Sequence, residues 1–577
     1  MGVGRRLCRR GLWKAASLQM ILMLLATGSV MTPPAHARDS RGVKDDPTQI
    51  ERRFEEATRE REREARPDPP VPDVEAERLS ASTAPIFILA AVRIEGAAIF
   101  SQDDLRFAWQ PYLGHMVSEA DLGTITQAIT QRYRDAGYPL SRAIFPAQDV
   151  QGGRVRLQVL EGYVTEVGFA GGDPMGFGIA RYADRIREDR PLRLATLERN
   201  LLFINDTPGV RIKDTTLQEL GGPTGRFRLT VMIETWNVWA QMALDNRGTR
   251  EVGPLQSSGA AALNSPIGAG ETIAITVQTV PDSPRELAFG AVAVDVPVGV
   301  DGLKLGIVGS YSEVRPDDGR RLVDTLIFSE TLGVRASLAL YRSRALSVFL
   351  RADAQVRDAV ERSDLGTAYH DRIRPVGAAA DIQFVDDLGG ETFLTAGLRQ
   401  GLDVLRASRS GDALSRSDAD GSFTRMSVDF ARRQRIHGGL SLVVAASAQL
   451  ASGPLLASEE FALGGARFGR GYDGGEISGD EGVAGLVELR YDGDVEASFL
   501  ERYRVYGFFD AGSVWNIRPG PDVRTSLSSA GGGLKLFLPF GIEAGAEIAV
   551  PLTYRAVSNS DRDPRLFFGI SKSFKFD

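Results

Sequence analysis

The chain has 577 residues, a net charge of −7, 25% charged residues and 43% apolar ones, a folded-protein composition that excludes bulk disorder. No run of 18 or more apolar residues occurs, so helical membrane spans are excluded. With 63 glycines the chain is rich in this residue relative to the ~7% of an average protein, and its single Cys8 and four histidines leave little for thiol or metal chemistry.

The first 37 residues read as a secretory signal peptide. Arg5, Arg6, Arg9, Arg10 and Lys14 form a cationic head. Residues 18–31 are an apolar core, and Ala35-His36-Ala37 is an A-x-A cleavage site. The run is too short to span a membrane as an anchor. Removal of these residues takes Cys8 with it, and the loss of five cations moves the net charge from −7 to −12. An exported chain would then carry no disulfide.

Residues 38–66 contain a densely charged helix over 48–66. Thr48 and Glu51 fit a capping box. Glu55/Arg59 and Glu62/Arg66 are opposite charges four residues apart. Pattern alone leaves two readings, a helix in a water-filled channel and a solvated tail. Pro67, Pro69, Pro70 and Pro72 then make a stiff linker over 67–85.

Residues 86–235 read as two small α+β units, 86–162 and 163–235. In the first, a strand over 86–95 precedes a helix over 101–114. A second helix is capped by Ser118 with Asp121, carries Leu122, Ile125, Ile129 and Tyr133 on one face, and stops at Gly137. Val155, Leu157 and Val159 alternate as a strand. In the second unit, 164–170 is a strand and Leu194, Leu197 and Leu201 mark a helix face. Phe227, Leu229, Val231 and Ile233 mark a closing strand.

Residues 236–577 change to strand periodicity. Leu394, Ala396 and Leu398 alternate with Thr395, Gly397 and Arg399. Met426, Val428 and Phe430 alternate with Arg425, Ser427 and Asp429. Ile542, Ala544, Ala546, Ile548 and Val550 alternate with Glu543, Gly545 and Glu547. Leu566, Phe568, Ile570, Phe574 and Phe576 continue the apolar series, and Lys572 breaks it. This is the pattern of a barrel that is apolar outside and wet inside, with about 16 antiparallel strands.

Enzymatic motifs are absent: there is no G-x-S-x-G, H-E-x-x-H, C-x-x-C or P-loop. The three histidines beyond the leader, His115, His370 and His437, are isolated. One loop stands out between the strands at 440–450 and 483–491. It is about 30 residues long, rich in glycine, and holds Arg470-Gly471-Tyr472. An arginine folded into the lumen needs a carboxylate, and Asp510 in Phe508-Phe509-Asp510-Ala511-Gly512 offers one.

These segments resemble the two-partner secretion transporters (TpsB family) of the Gram-negative outer membrane. Tyr133-Arg134-Asp135-Ala136-Gly137-Tyr138, Pro146-Ala147-Gln148-Asp149-Val150, Gly153 and Glu161-Gly162 are similar to that family's first POTRA domain. Residues 201–209, ending Asp206-Thr207-Pro208-Gly209, are similar to the second. Asp245-Asn246-Arg247-Gly248 and Arg342-Ser343-Arg344 resemble barrel motifs. Arg470-Gly471-Tyr472 resembles the signature of the sixth extracellular loop, and Phe508, Asp510 and Gly512 the strand it meets. Gly469 stands where the family usually has Val, and the last residue is Asp577 rather than an aromatic. The resemblance implies a 16-stranded barrel, two periplasmic POTRA domains and a plug helix resting in the lumen. It implies no cofactor, no metal and no nucleic acid. The partners it implies are a large secreted β-helical exoprotein recognised through its N-terminal secretion domain, outer-membrane lipid, and the periplasmic chaperones and barrel-assembly machinery used in biogenesis. An outer-membrane protein insertase shares the Arg-Gly-Tyr loop and is the alternative.

Overall fold

The computed structural model describes residues 47–49, 51, 69, 70, 72, 82–517, 524–553 and 562–576. The expected leader, most of the charged helix and most of the Pro-rich linker lie outside these residues. Pro47, Thr48 and Gln49 are helical, as is Glu51, so Thr48 sits inside a helix rather than at its N-cap.

The first α/β unit is a three-stranded sheet. Ala91–Glu95 runs parallel to Arg154–Leu160, which pairs antiparallel with Arg142–Ile144. The helix Glu119–Asp135 packs on it through Leu122, Ile125, Ile129 and Tyr133. Each such burial is worth roughly 1.5–3 kcal/mol. Ser118 caps the helix by accepting from the Asp121 amide, and the Asp121 carboxylate returns the bond. Gly137 follows the last turn at φ +87°, a backbone that favours glycine.

Two expected elements differ. The strand expected over 86–95 divides at Leu89–Ala90. Its first half, Pro85–Ile88, pairs with Met116–Ser118, and the second half joins the sheet. The amides change partner there: Leu89 donates to the His115 carbonyl and Ala90 to that of Gly153. The helix expected over 101–114 shortens to Gln102–Leu105 and gives way to 3₁₀ turns at Arg106–Ala108 and Gln110–Tyr112. Pro111 in the second turn has no amide to continue an α-helix.

The second unit repeats the plan. Tyr163–Ala170 is parallel to Arg226–Thr235, which pairs antiparallel with Val210–Glu219. Helices Ala180–Glu188 and Leu194–Asn205 cover one face. The first of these was not read from the sequence, although Tyr182, Ala183 and Ile186 give it a buried stripe. The two units are joined tightly. Leu140 of the first is 2% exposed in the core of the second, and Arg142 pairs with Glu219 at 2.7 Å. A Cβ on Gly162 would lie 2.3 Å from the Leu140 carbonyl oxygen, so the chain can cross there only as glycine.

Sixteen antiparallel strands then close into a barrel, from Val238–Asp245 to Arg565–Phe576. One strand is in two pieces, Gly366–Ile373 and Pro375–Val385, both paired with Leu346–Ser363. The last strand pairs with the first from Gly569↔Asp245 to Phe576↔Val238, leaving no edge. The alternation is as the sequence indicates. Leu398, Met426, Val428, Ile548, Phe568 and Ile570 point outward, and Arg399, Arg425, Asp429 and Glu547 point to the axis. Lys572 lies on the outer face, with its Nζ 4.9 Å from the Phe574 ring centre. Among the described residues no helix is long and apolar enough to cross a membrane.

Candidate functional site in the barrel lumen

The loop between Ala451 and Glu481 folds into the barrel rather than away from it. Phe468, Tyr472 and Ile477 are buried with Leu486, Phe508, Leu527 and Phe567 of the wall. A short ladder, Phe461–Leu463 with Ile477–Gly479, closes the loop at its base. Gly464, Gly465 and Gly469 have φ of +111°, +95° and +79°, which lets the chain turn tightly around Arg470. At Gly469 a valine would be strained, which gives the departure from the family pattern a local reason.

Arg470 stands at the centre of a chain of alternating charges. Its Nη1 donates to Glu488 at 2.7 Å and reaches Glu547 at 3.5 Å. Glu547 also accepts from Arg247 at 3.0 Å and from the Tyr506 hydroxyl at 2.7 Å. Glu488 also pairs with Arg490. The guanidinium lies 4.5 Å from the centre of the Phe508 ring. Every carboxylate here therefore has a cation, and the pairs lie in a dry setting where charge-assisted bonds are strong.

Asp510 meets the loop differently from the expectation. It is fully buried, and it accepts the backbone amide of Arg470 at 3.2 Å and the Ser529 hydroxyl at 2.6 Å. The Gly471 amide donates to the same Ser529 oxygen at 3.1 Å. The Tyr472 hydroxyl donates to the Ser528 carbonyl at 3.1 Å. Asp510 thus holds the loop's backbone, and the carboxylate bonded to the guanidinium is Glu488, on the neighbouring strand Glu481–Ala497. Arg247 lies in the 245–248 motif that resembles the start of the barrel, whereas Glu488, Arg490 and Ser529 fall in none of the sequence motifs. The usable signal was Glu488 and Arg490 alternating with Leu489 and Tyr491.

A second polar cluster closes the loop's base. Arg416, 2% exposed, pairs with Asp418, Glu460 and Asp480. The described start of the N-terminal helix is buried here. Gln49 donates to the carbonyls of Ala457 at 3.0 Å and Glu460 at 3.4 Å.

Residues 229–536 match the family described as haemolysin secretion/activation protein ShlB/FhaC/HecB. The chain belongs to this family. Residues 87–162 match its ShlB-type POTRA domain. Among curated relatives, the hemolysin transporter protein HpmB of Proteus mirabilis is 26% identical over 261 residues, covering 44% of this chain and 45% of HpmB. That match therefore spans less than half of the relative. The heme/hemopexin transporter protein HuxB of Haemophilus influenzae is 20% identical over 472 residues, covering 80% of this chain and 82% of HuxB. The fold is that of CdiB from Escherichia coli, with a TM-score of 0.72, 19% identity and coverage of 94% of this chain and all of CdiB. CdiB from Acinetobacter baumannii matches with a TM-score of 0.62 and 16% identity over 94% of this chain and all of that one. These relatives are named as transporters, and the family match favours that class over an insertase. The barrel of a ShlB/FhaC/HecB protein sits in the outer membrane, with POTRA units in the periplasm. The long inward loop is then the sixth extracellular loop.

The POTRA motif residues are framework. Tyr133 donates its hydroxyl to Glu161 at 2.7 Å, and the same carboxylate oxygen accepts the amides of Ala98 and Ile99 at 2.8 Å each. Burial and then the bond to Glu161 hold the Tyr133 phenol far above its usual range. Tyr138 packs edge-on against Tyr133 at 6.2 Å, just after Gly137. Gln148 imitates a strand residue: its amide nitrogen donates to the Arg156 carbonyl at 2.7 Å and its oxygen accepts the Arg156 amide at 2.8 Å. Its nitrogen also lies 3.4 Å from the Pro146 carbonyl, and Asp149 is 3.4 Å from the Gln151 amide group.

Proposed function

We propose that this protein exports a large partner protein from the periplasm to the cell surface through its own barrel. The observation that carries this is the combination of a ShlB-type POTRA domain with a closed barrel whose lumen is filled by the Arg470 loop. The POTRA units, taken as 86–162 and 163–235, receive the unfolded cargo at a sheet edge or in the groove beside a helix. The charged segment 48–66 acts as a resting plug, and the burial of Gln49 against the loop base supports that reading. Linker 67–85 lets the plug leave. The cargo is a β-helical exoprotein carrying an N-terminal secretion domain. Its folding outside biases movement outward, so transport needs no nucleotide. Arg470-Gly471-Tyr472 keeps the loop seated while the pore is closed. Biogenesis uses periplasmic chaperones and the barrel-assembly machinery. Deleting residues 86–235 is expected to abolish export while the barrel still inserts and shows heat-modifiable migration. Normal export by that deletion would refute the reading.

A further inference from the structure

One exposed knuckle on the outer wall is used by neither the lumen loop nor the POTRA framework. After Leu402 the chain leaves the strand Gly390–Gly401, and Val404, Leu405 and Arg406 stand out from the barrel. Val404 is 48% and Leu405 70% exposed. Leu405 and Arg406 are consecutive non-glycine residues at φ +47° and +60°, a backbone that L side chains rarely adopt. Such a turn persists only where its surroundings dictate it.

The wall beneath dictates this one. Pro375 pairs with Gly401, and the Leu402 amide donates to the Arg374 carbonyl at 3.1 Å. Continued pairing would set Val404 opposite Arg372. Ser408 stands there instead, its amide donating to the Arg372 carbonyl at 2.9 Å, so four extra residues are accommodated. Arg374, itself buried, fixes them from behind. Its Nε donates to the Leu405 carbonyl at 3.2 Å and its Nη1 to Asp358 at 2.7 Å. Arg374 shares the phase of Val376, which is exposed on the outer wall as Leu398 is. The knuckle therefore lies outside the barrel, away from the lumen.

Its height follows from the strand below it. Twelve residues at ~3.3 Å each, tilted about 40°, rise roughly 30 Å from the periplasmic side, slightly more than the ~25 Å apolar band. The knuckle thus sits at the upper border of that band, where acyl chains give way to headgroups. Its charges are uneven. Arg409 pairs with Asp403 at 3.1 Å, and Arg372 lies 3.4 Å from Asp412. Arg406 is exposed and has no carboxylate partner among the described residues. Two apolar side chains beside one unbalanced guanidinium match a lipid that carries a phosphate. An exported chain would leave by the lumen, on the other side of this wall.

We propose that Val404 and Leu405 enter the outer leaflet and that Arg406 binds the phosphate of a phosphorylated glycolipid there, which makes the knuckle a lipid-recognition site. The site needs only the outer-membrane location and is independent of how cargo passes the pore.

The test uses the full chain with Cys8→Ser, which leaves no other cysteine, in phosphatidylcholine vesicles containing bisphosphorylated lipid A. A nitroxide at Leu405→Cys is compared with one at Leu398→Cys, on the lipid-facing wall, and one at Ser417→Cys, exposed elsewhere in the same loop. The expected accessibility to oxygen over a water-soluble nickel chelate is that of the Leu398 label. A value matching the Ser417 label overturns the proposal. Lipid A carried by the unlabelled protein through detergent extraction is then counted by native mass spectrometry. Arg406→Gln and Leu405→Gly should each lower it at least about threefold, and Arg406→Lys should keep most of it. Unchanged retention in Arg406→Gln overturns the assignment of a phosphate to this arginine. Heat-modifiable migration confirms that each barrel has folded, and Leu405→Gly, which relieves the backbone, supplies the comparison if Arg406→Gln does not fold.

Discussion

Replacing Arg470 by alanine should release the sixth loop from the lumen, and the network sets the size of the effect. The side chain is 10% exposed and its partners Glu488 and Glu547 are 2% and 5% exposed. Removing it does not strand a buried carboxylate, because Arg490 still pairs with Glu488 and Arg247 with Glu547. The ~3–5 kcal/mol of an orphaned buried charge is therefore avoided. What is lost is one charge-assisted bond, about 2 kcal/mol, and a desolvated contact with the Phe508 ring, about 1 kcal/mol. The sum, about 3 kcal/mol, raises the undocked population roughly 100-fold. Protease added to intact cells should cut the loop faster in the same proportion, since cleavage follows the open population when closing is fast. R470E should behave at least as badly. The double exchange R470E/E488R should recover most of the protection, and R470E/D510R should not, because Asp510 binds the loop's backbone. Recovery by the Asp510 exchange alone, or R470A protection within about threefold of the parent, would refute the assignment of Glu488.

Gln49→Ala removes two side-chain bonds to the loop base, worth about 1 kcal/mol together; spontaneous channel openings in planar bilayers should rise several-fold, and an unchanged open probability would count against the plug. The Asp104 carboxyl is held below its ordinary value by the Ser101 hydroxyl and amide, and Asp121 by the Ser118 amide and hydroxyl. A lowered folded-state value contributes stability above pH ~4 that is lost as the pH falls further. The helical circular-dichroism melt should therefore drop below pH 4, and S101A/S118A should be less stable at pH 7 and flatter in acid. Gly162→Ala drives a methyl into the Leu140 carbonyl and should cost ~1–3 kcal/mol, seen as a lower melting temperature of the POTRA helices with the barrel unaffected.

The barrel was legible because each strand carries its own two-residue period, which needs no partner to be read. The strand at 394–399 and that at 542–550 both kept the facing their alternation indicated. The first helix pair of the POTRA region was less legible. Ser118 with Asp121 marks one start clearly, but the chain over 101–114 breaks at Pro111 into short turns that hydrophobic spacing does not separate from a helix. Helix Ala180–Glu188 carries five charged side chains over a thin apolar stripe and so reads as surface. The loop site was half legible. Arg470 and Asp510 are brought together, yet which carboxylate meets the guanidinium depends on the stagger between strands, and that appears only when the barrel closes. Asp206 and Arg342 both lie in segments that resemble family motifs, but their ion pair, with bonds of 2.8 and 3.0 Å, is not legible in the sequence, because a bulge between Ala339 and Tyr341 in the strand Leu326–Arg342 turns Arg342 to the axis side.

That bulge makes the strand's length a question of parity. Upstream of it, the phase is set by lipid, which needs Leu332 and Val334 outside. Downstream, the phase is set by a soluble domain, which needs Arg342 inside. The extra residue lets the two requirements be met independently on one strand. Loss of a single residue at Leu340 would heal the ladder and leave Arg342 opposite Ser347 and facing Asp206, whereas gain of one, which changes the parity equally, would heal it only by carrying Arg342 past Ser347 and away from Asp206. Length variation at this point of the chain is therefore directional, and the periplasmic arm constrains the barrel's numbering as firmly as the membrane does.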